Sequence, residues 1–395
     1  MVGLELMVMI VEKSSAYAPY DSYLFRVGFM MALAVVLLSS YTGKQWLVVA
    51  GVSLLTFIHY RLTGSNDLLR YAMFIFACRD YKPEKVIKFS FFVSLAGFLI
   101  IVLLSVLGVL GEISMTGDFG RSVGVETRFV FGFGHPNTFH GAFYSLLLMG
   151  LYLWEIKDPA LAKNADDTAK RRAFAFFAAC FVLNLILFAV TRSRTAAIIG
   201  GISVICMGFL HFADDGSDRI KKTVCGAGIL IILADIGFSV WSAAVSKLTD
   251  DRNGFIFKLS RLLNDRILNL YYNTKKHKGS LQTWTLLGIG ADRDKYFDMG
   301  WVRLYYWYGI IPGILVTLLV IALMIICVER GDMAAVVLIA SLSVYTVIEA
   351  TFVSRYVGRM FMLPIAGVYL MDIPALEGRE CQLWGIFGWK EKTDT

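Results

Sequence analysis

The chain is poor in charge, in proline and in cysteine, and each shortage excludes something. Only 17% of its 395 residues are Asp, Glu, Lys or Arg, against 57% apolar. That is too little charge for an ordinary water-soluble domain and far too apolar for a disordered one. Seven prolines and the lack of any Ser/Gly-rich linker leave no boundary to place, so a single domain over 1–395 is expected. The six cysteines have no Cys-x-x-Cys spacing, and Cys78, Cys180, Cys206, Cys225 and Cys327 lie in or beside apolar runs. Neither a zinc site nor a disulfide framework follows from them. No fixed-period repeat is present. Residues 1–21 lack a basic leader and a small-residue cleavage site, so they do not read as a signal peptide. Their one apolar run, 4–11, is too short to cross a bilayer. The net charge of +7 comes from loop Lys and Arg, so nucleic acid is not an expected partner.

What the chain has is long apolar runs. Candidate spans fall at 22–40, 45–60, 66–78, 86–110, 136–154, 173–190, 196–213, 223–243, 301–327, 333–351 and 358–373, judged against a need for about 20 residues. The third is short, as for a tilted or partly re-entrant segment. The fold expected is all-α, a polytopic transmembrane helical bundle of about 11 spans. It becomes about 12 if 4–11 belongs to a first helix. Orientation follows from Lys/Arg bias in short loops. Arg79, Lys82, Lys85 and Lys88 share one loop; Lys157, Lys163, Lys170, Arg171 and Arg172 another. Arg219, Lys221 and Lys222 lie in a third, with Arg379, Lys390 and Lys392 in the tail. Alternation puts all four on one side, the cytoplasmic one. The segments 61–65, 111–135, 191–195, 244–300 and 352–357 are then outside.

The longest polar excursion is 244–300. It carries Lys247, Arg252, Lys258, Arg261, Arg266, Lys275, Lys276, Lys278, Arg293 and Lys295 against six aspartates. It is expected to open with an amphipathic helix over 255–272, since Phe255, Leu259, Leu262, Leu263, Ile267 and Leu270 recur at helical spacing. A basic flap over a membrane scaffold suits an anionic substrate that lives in lipid. A solvated loop with an interfacial helix would show the same composition.

Three groups of residues carry chemistry. Residues 125–139 read Val-Glu-Thr-Arg-Phe-Val-Phe-Gly-Phe-Gly-His-Pro-Asn-Thr-Phe. Gly132 and Gly134 permit close backbone approach. Pro136 suits a first helical turn, with His135 just before it and Asn137 just after. A helix start offers free N–H groups to an anion, and Arg128 adds a charge. The dipole there favours a neutral His135; the alternative is a capped helix start with an interfacial histidine. Second, Arg192 and Arg194 stand in a hairpin between two spans, either binding phosphate oxygens bidentately or reaching for headgroups. Third, Arg26, Arg70, Asp235 and Glu349 are ionisable groups within spans, the two acids near mid-span or slightly outward. They are costly in lipid and so are paired, with Arg26 or Arg70 as neutralising partners, or functional. Asp292, Asp294 and Asp298 are the closest acidic set but lack calcium-loop spacing, so no metal is expected.

Arg-Phe-Val-Phe-Gly-Phe-Gly-His-Pro-Asn-Thr (128–138) resembles the helix start of Wzy-type repeat-unit polymerases for bacterial exopolysaccharide and capsule. These belong to the O-antigen ligase/polymerase superfamily. Thr-Arg-Ser-Arg-Thr (191–195) is similar to its Thr-x-Ser-Arg hairpin. Asn-Asp-Arg-Ile (264–267) with Leu-Gly-Ile-Gly (287–290) resembles its loop pattern, Asp298 and 305–313 its returning segment, and Glu349 an acid of its penultimate span. The resemblance runs over most of 45–375. It implies a GT-C-like scaffold with a large extracytoplasmic loop. The activity implied is metal-independent, cofactor-free, inverting glycosyl transfer from undecaprenyl diphosphate onto a new lipid-linked repeat unit. Arg194 and Arg266 match the arginines that hold the diphosphate. His135, Asp298 or Glu349 would be the base. Arg128, Asn137, Arg192, Arg261, Gly288 and Gly290 would line the substrate. A chain-length regulator and a flippase are the implied protein partners. Ligase members carry His-Asn where this chain has Asp298-Met299, which favours a polymerase over a ligase. A flippase would show inverted-repeat symmetry, which the sequence lacks.

The sidedness is testable with single cysteines and a membrane-impermeant reagent on intact cells. Position 275 should label and position 165 should not; the reverse pattern would invert the topology.

Overall fold

The computed structural model describes the chain except for 17–20, 120–123, 158–165, 214–217, 273–276, 293–296, 350–358, 373–379 and 382–395. Lys163, Lys275, Lys276, Arg293, Asp294, Lys295, Arg379, Lys390 and Lys392 fall outside the described residues. The elements follow one another as α1 (Val2–Lys13), α2 (Asp21–Leu38), β1 (Tyr41–Thr42), α3 (Gly43–Thr63), α4 (Asp67–Ala77) and α5 (Pro83–Val106). Next come β2 (Ser114–Asp118), β3 (Val125–Phe129), α6 (Pro136–Lys157), α7 (Asp167–Thr191), α8 (Arg194–Phe212) and α9 (Asp218–Val245). The polar excursion holds α10 (Phe255–Leu262) and α11 (Arg266–Tyr272). The chain ends with α12 (Gly300–Tyr308), α13 (Ile310–Glu329), α14 (Met333–Ile348), α15 (Arg359–Asp372) and β4 (Glu380–Cys381).

Helix is what an apolar chain must form where no water can satisfy its backbone. Among the described residues, six helices are long and apolar enough to cross a membrane: Gly43–Thr63, Pro83–Val106, Asp167–Thr191, Arg194–Phe212, Arg219–Asp250 and Ile310–Glu329. Tyr23–Leu38, Met333–Ile348 and Phe361–Met371 are apolar but shorter. Their ends are chemically marked. Thr42 and Gln45 form a reciprocal capping box on α3, and Gly64 closes that helix in the left-handed conformation. Asp166 caps α7 and Asp332 caps α14.

Two helices form the centre. In α6, Tyr144, Leu148, Met149 and Leu151 are fully enclosed. α14 is buried along nearly its whole length and packs against α6, α8, α9 and α13. A helix apolar on every side belongs inside. Its sixteen residues reach only about 24 Å. Glu349 therefore stands past the helix end, which corrects the expectation that it lies within a span. The helix ends sort onto two sides. At one, Tyr152 and Tyr369 donate to Asp332 Oδ2 (3.1 and 2.7 Å) and His211 meets Glu155 (2.8 Å). At the other lie the start of α6, the α7–α8 hairpin, α10, α11, the start of α12 and the end of α14.

Residues 4–11 belong to a first helix: α1 lies along α5, with Gly97 against Ile10, and Ser15 N–H donates to Gly132 O (2.7 Å). Three expectations change. The segment 111–135 is not plain loop but carries the antiparallel β2–β3 hairpin, while β1 pairs with β4. The helix over 255–272 is two, because Asn264 and Asp265 both turn left-handed (φ 54° and 59°) and Ser260 Oγ accepts the Leu268 N–H (2.9 Å). The span 301–327 is likewise two helices meeting at Gly309 (φ 99°, ψ 162°), a conformation open essentially to glycine alone.

Gly288 explains that break. A Cβ on Gly309 would fall 2.4 Å from Gly288 N, and one on Gly288 2.5 Å from Trp307 O. Ile310 and Ile311 N–H then donate to Thr285 and Leu286 carbonyls (both 3.0 Å). Gly288, expected to line the substrate, instead allows two backbones to cross. Gly290 (φ 77°) has open space where a Cβ would stand. Gly309→Ala should cost at least about 1–3 kcal/mol from its backbone conformation alone, before the clash. Gly290→Ala should cost about 1 kcal/mol. Thermal midpoints of the detergent-solubilised variants check this; equal losses would refute the crossing as a constraint.

Candidate functional site

The site is built on the truncated end of α14. A helix terminus leaves carbonyls without intrahelical donors. Here the Ile348 carbonyl accepts from Arg266 Nε (2.8 Å) and from Met299 N–H (3.4 Å). The left-handed pair Asn264–Asp265 starts α11 so that Arg266, its first residue, points back under the loop. Met299, itself left-handed (φ 74°), starts α12 and brings Asp298 alongside.

Arg266 thereby becomes the hub. Its Nη2 donates to Glu349 Oε1 (2.6 Å), its Nη1 to the Leu263 carbonyl (3.3 Å), and its Nε lies 3.4 Å from Asp298 Oδ2. The Arg266 side chain is 7% exposed, Glu349 15% and Asp298 34%. From α6, Asn137 Nδ2 also donates to Glu349 Oε1 (3.4 Å). Two carboxylates thus share one guanidinium. Burial and the charge of Asp298 push Glu349 up, Arg266 pulls it down, and it comes to rest at about 7.

His135 caps α6 beside this cluster. Its Nδ1 accepts the Asn137 N–H (3.2 Å), and its carbonyl accepts from Thr138 and Phe139. Burial lowers its pKa, as do Arg128 and Arg266, against the opposing charge of Asp298. The ring is therefore neutral at pH 7. With Nδ1 occupied as an acceptor, its proton sits on Nε2. That tautomer donates a hydrogen bond and has no spare lone pair to take a proton. Phe119 lies edge-on to the ring at 6.2 Å.

The remaining candidates take separate places. Arg128 is buried, ion-paired with Glu126 and stacked over Phe119 at 3.9 Å. Arg261 pairs with Asp265 (2.7 Å) on the exposed face of α10. Arg192 ends α7 in the left-handed conformation (φ 57°), and Arg194 begins α8; both are exposed. Their hairpin is tied to the site's side of the bundle by His140 Nδ1 and Thr191 Oγ1, 2.8 Å apart. Asp235 is met by Ser343 Oγ (2.6 Å) and Glu349 by Arg266, which corrects the expectation that Arg26 or Arg70 neutralises them; those two stack on Tyr23 and Phe25. Among the described residues no group of three or more His, Cys, Asp or Glu is placed to hold a metal ion.

Sequence reasoning passed over two features. Arg303 is buried on α12 with its guanidinium over Trp307 at 3.8 Å; the signal was an arginine four residues before a tryptophan on a helix. Lys278 is buried in an ion pair with Asp292, whose N–H donates to Tyr306; nothing local in the sequence announced it. Comparison with family models, characterised proteins and solved structures yields no match.

The capping role of His135 has its own test. His135→Asn keeps a side-chain acceptor and should leave the thermal midpoint unchanged, whereas His135→Ala should lose about 1 kcal/mol. Equal losses would move the imidazole's work from the helix start to the ligand.

Proposed function

We propose that this protein is an inverting, metal-independent glycosyltransferase that polymerises undecaprenyl-diphosphate-linked oligosaccharide repeat units into exopolysaccharide or capsular polysaccharide. The reaction takes place on the outer face of a bacterial cell membrane, on a GT-C-like helical scaffold. The observation that carries this reading is the Arg266–Glu349–Asp298 cluster at one end of an apolar helical bundle, with the exposed Arg192 and Arg194 on the same side.

The chemistry needs little more. A polyprenyl diphosphate leaves readily once its charge is held, so the protein must supply cations, a base and alignment. Arg194 meets the first requirement. It is exposed, and it sits at the start of α8, where free N–H groups and the helix dipole add to its attraction for phosphate oxygens. The carboxylate cluster meets the second. The neutral His135, donating from Nε2, and Asn137 suit the hydroxyls of a sugar. In the sequence, the match of 128–138, 191–195 and 264–267 to the Wzy-type pattern supports the same reading. Asp298-Met299 in place of the ligase His-Asn points to a second repeat unit as acceptor. A chain-length regulator and a flippase are the partners such an enzyme works beside.

Purified protein in lipid vesicles should convert the lipid-linked repeat unit into a ladder of polymers, and EDTA should not stop it. Arg194→Lys should raise the KM for the lipid-linked donor about tenfold or more, since lysine keeps the charge but loses the planar fork. Wild-type protein that makes no ladder, or that transfers only to an acceptor other than the repeat unit, would overturn the proposal.

A further inference from the structure

Resting on that reading, we propose that Glu349 takes the proton of the acceptor hydroxyl and that Arg266 is its positioning residue rather than a clamp on the diphosphate.

The geometry of Arg266 argues against a clamp. Its three guanidinium nitrogens donate to Ile348 O, Leu263 O and Glu349 Oε1, and Asp298 lies 3.4 Å from Nε. Every nitrogen of the planar fork that would grip a diphosphate already donates to the protein, in a side chain 7% exposed. The charge count agrees. Among the described residues, two carboxyl groups share this one guanidinium, so the cluster offers no surplus positive charge to a diphosphate and tolerates an uncharged sugar.

The geometry of Glu349 is that of a base. Arg266 Nη2 and Asn137 Nδ2 both converge on Oε1. They fix the carboxylate's plane, and among the described residues no donor meets Oε2. Removal of a proton by a positioned carboxylate requires such a free oxygen and a pKa near the working pH. Burial and Asp298 hold Glu349 near 7. Among the described residues, the charged and titratable groups around it are Arg266 on α11, Asp298 before α12 and His135 at the start of α6, beside the neutral amide of Asn137; Arg128 acts on His135 from β3. His135 cannot substitute, because its Nδ1 lone pair is held by the Asn137 N–H.

The step balances without a further reactant. The acceptor oxygen forms a bond to the anomeric carbon as the bond from that carbon to the phosphate oxygen breaks. The hydroxyl proton passes to Glu349 Oε2. Undecaprenyl diphosphate leaves with the bonding pair, and Glu349 returns the proton to solvent after product release.

The test is the pH profile of polymer formation in the vesicle assay, with donor KM and kcat measured separately. Glu349→Gln should lower kcat by about two to four orders of magnitude. Arg266→Gln removes a cation, so Glu349 should titrate higher; the acid limb should move up by about one to three pH units, with rate recovered at high pH and donor KM little changed. Asp298→Asn removes an anion, and the acid limb should move down. A clamp predicts otherwise: Arg266→Gln would raise donor KM many-fold, leave the limb in place and recover nothing at high pH. That result, or a Glu349→Gln enzyme within a few-fold of wild type, overturns the proposal. Should Glu349→Gln fail to fold around its unpaired arginine, Asp298→Asn at the exposed rim decides alone, and an unmoved limb counts against the proposal. Wild-type protein inactive on every lipid-linked donor would instead defeat the glycosyltransferase reading itself.

Discussion

The structure depends on one buried charge, the Arg266 guanidinium at the end of α14. Ion pairs of this kind are poor stabilisers. Taking both ions out of water costs several kcal/mol each, and well-packed apolar residues of the same volume often do as well or better. Removing one partner alone, by contrast, strands the other at a cost of about 3–5 kcal/mol. The pair Arg266–Glu349 is therefore expensive to keep and hard to lose. On the proposed reading, the pair serves the carboxylate's role as a base rather than the stability of the fold.

Several backbone features exist to put that charge in place. α14 ends at Ile348, and a carbonyl at a helix end needs a donor from outside the helix. Arg266 and Met299 supply it from two different segments of the polar excursion. Each reaches the spot through a left-handed residue just before its helix, at Asp265 and at Met299. The α12–α13 break at Gly309, crossed by Gly288, lets α12 stay short and return the chain under the loop. Strain of this kind persists only where surrounding structure determines it, and here it converges on one helix end.

How much of this could be read from residues alone follows from the range of each interaction. The start of α6 was legible, because Gly-x-Gly-His-Pro-Asn is a local signal and Pro136 and His135 occupy the first turn and cap it names. Glu349 was identifiable as a charge in an apolar run, whereas Arg266 and Asp298 stood out only through the resemblance of 264–267 and of the returning segment to the Wzy-type pattern. Their meeting was not, since Arg266 and Glu349 are 83 residues apart and Asn137 and Glu349 are 212 apart. The periodicity over 255–272 was real but silent about Asn264 and Asp265, whose conformation is imposed by Ser260 and the end of α14. The crossing at Gly288 was hidden for a related reason: glycine before a ligand and glycine before another backbone look the same in sequence, and only its contact with Gly309 reveals the second.

Charge placement then divides the proposed site. Arg192 and Arg194 are exposed cations on the α7–α8 hairpin, where they flank a helix start. The carboxylates are at the end of α14, with their single arginine already spoken for. An anionic leaving group and a neutral nucleophile are best served by such separation, because one region must attract negative charge and the other must avoid neutralising its own base. If Arg266 were free to leave Glu349 for a diphosphate, the carboxylate would lose its orientation and the arginine its helix-capping bond to Ile348 at the same time. Binding would then have to pay for dismantling the base it is meant to serve. Holding Arg266 in the protein avoids that conflict, and it assigns the donor's charge to Arg194 and the acceptor's proton to Glu349.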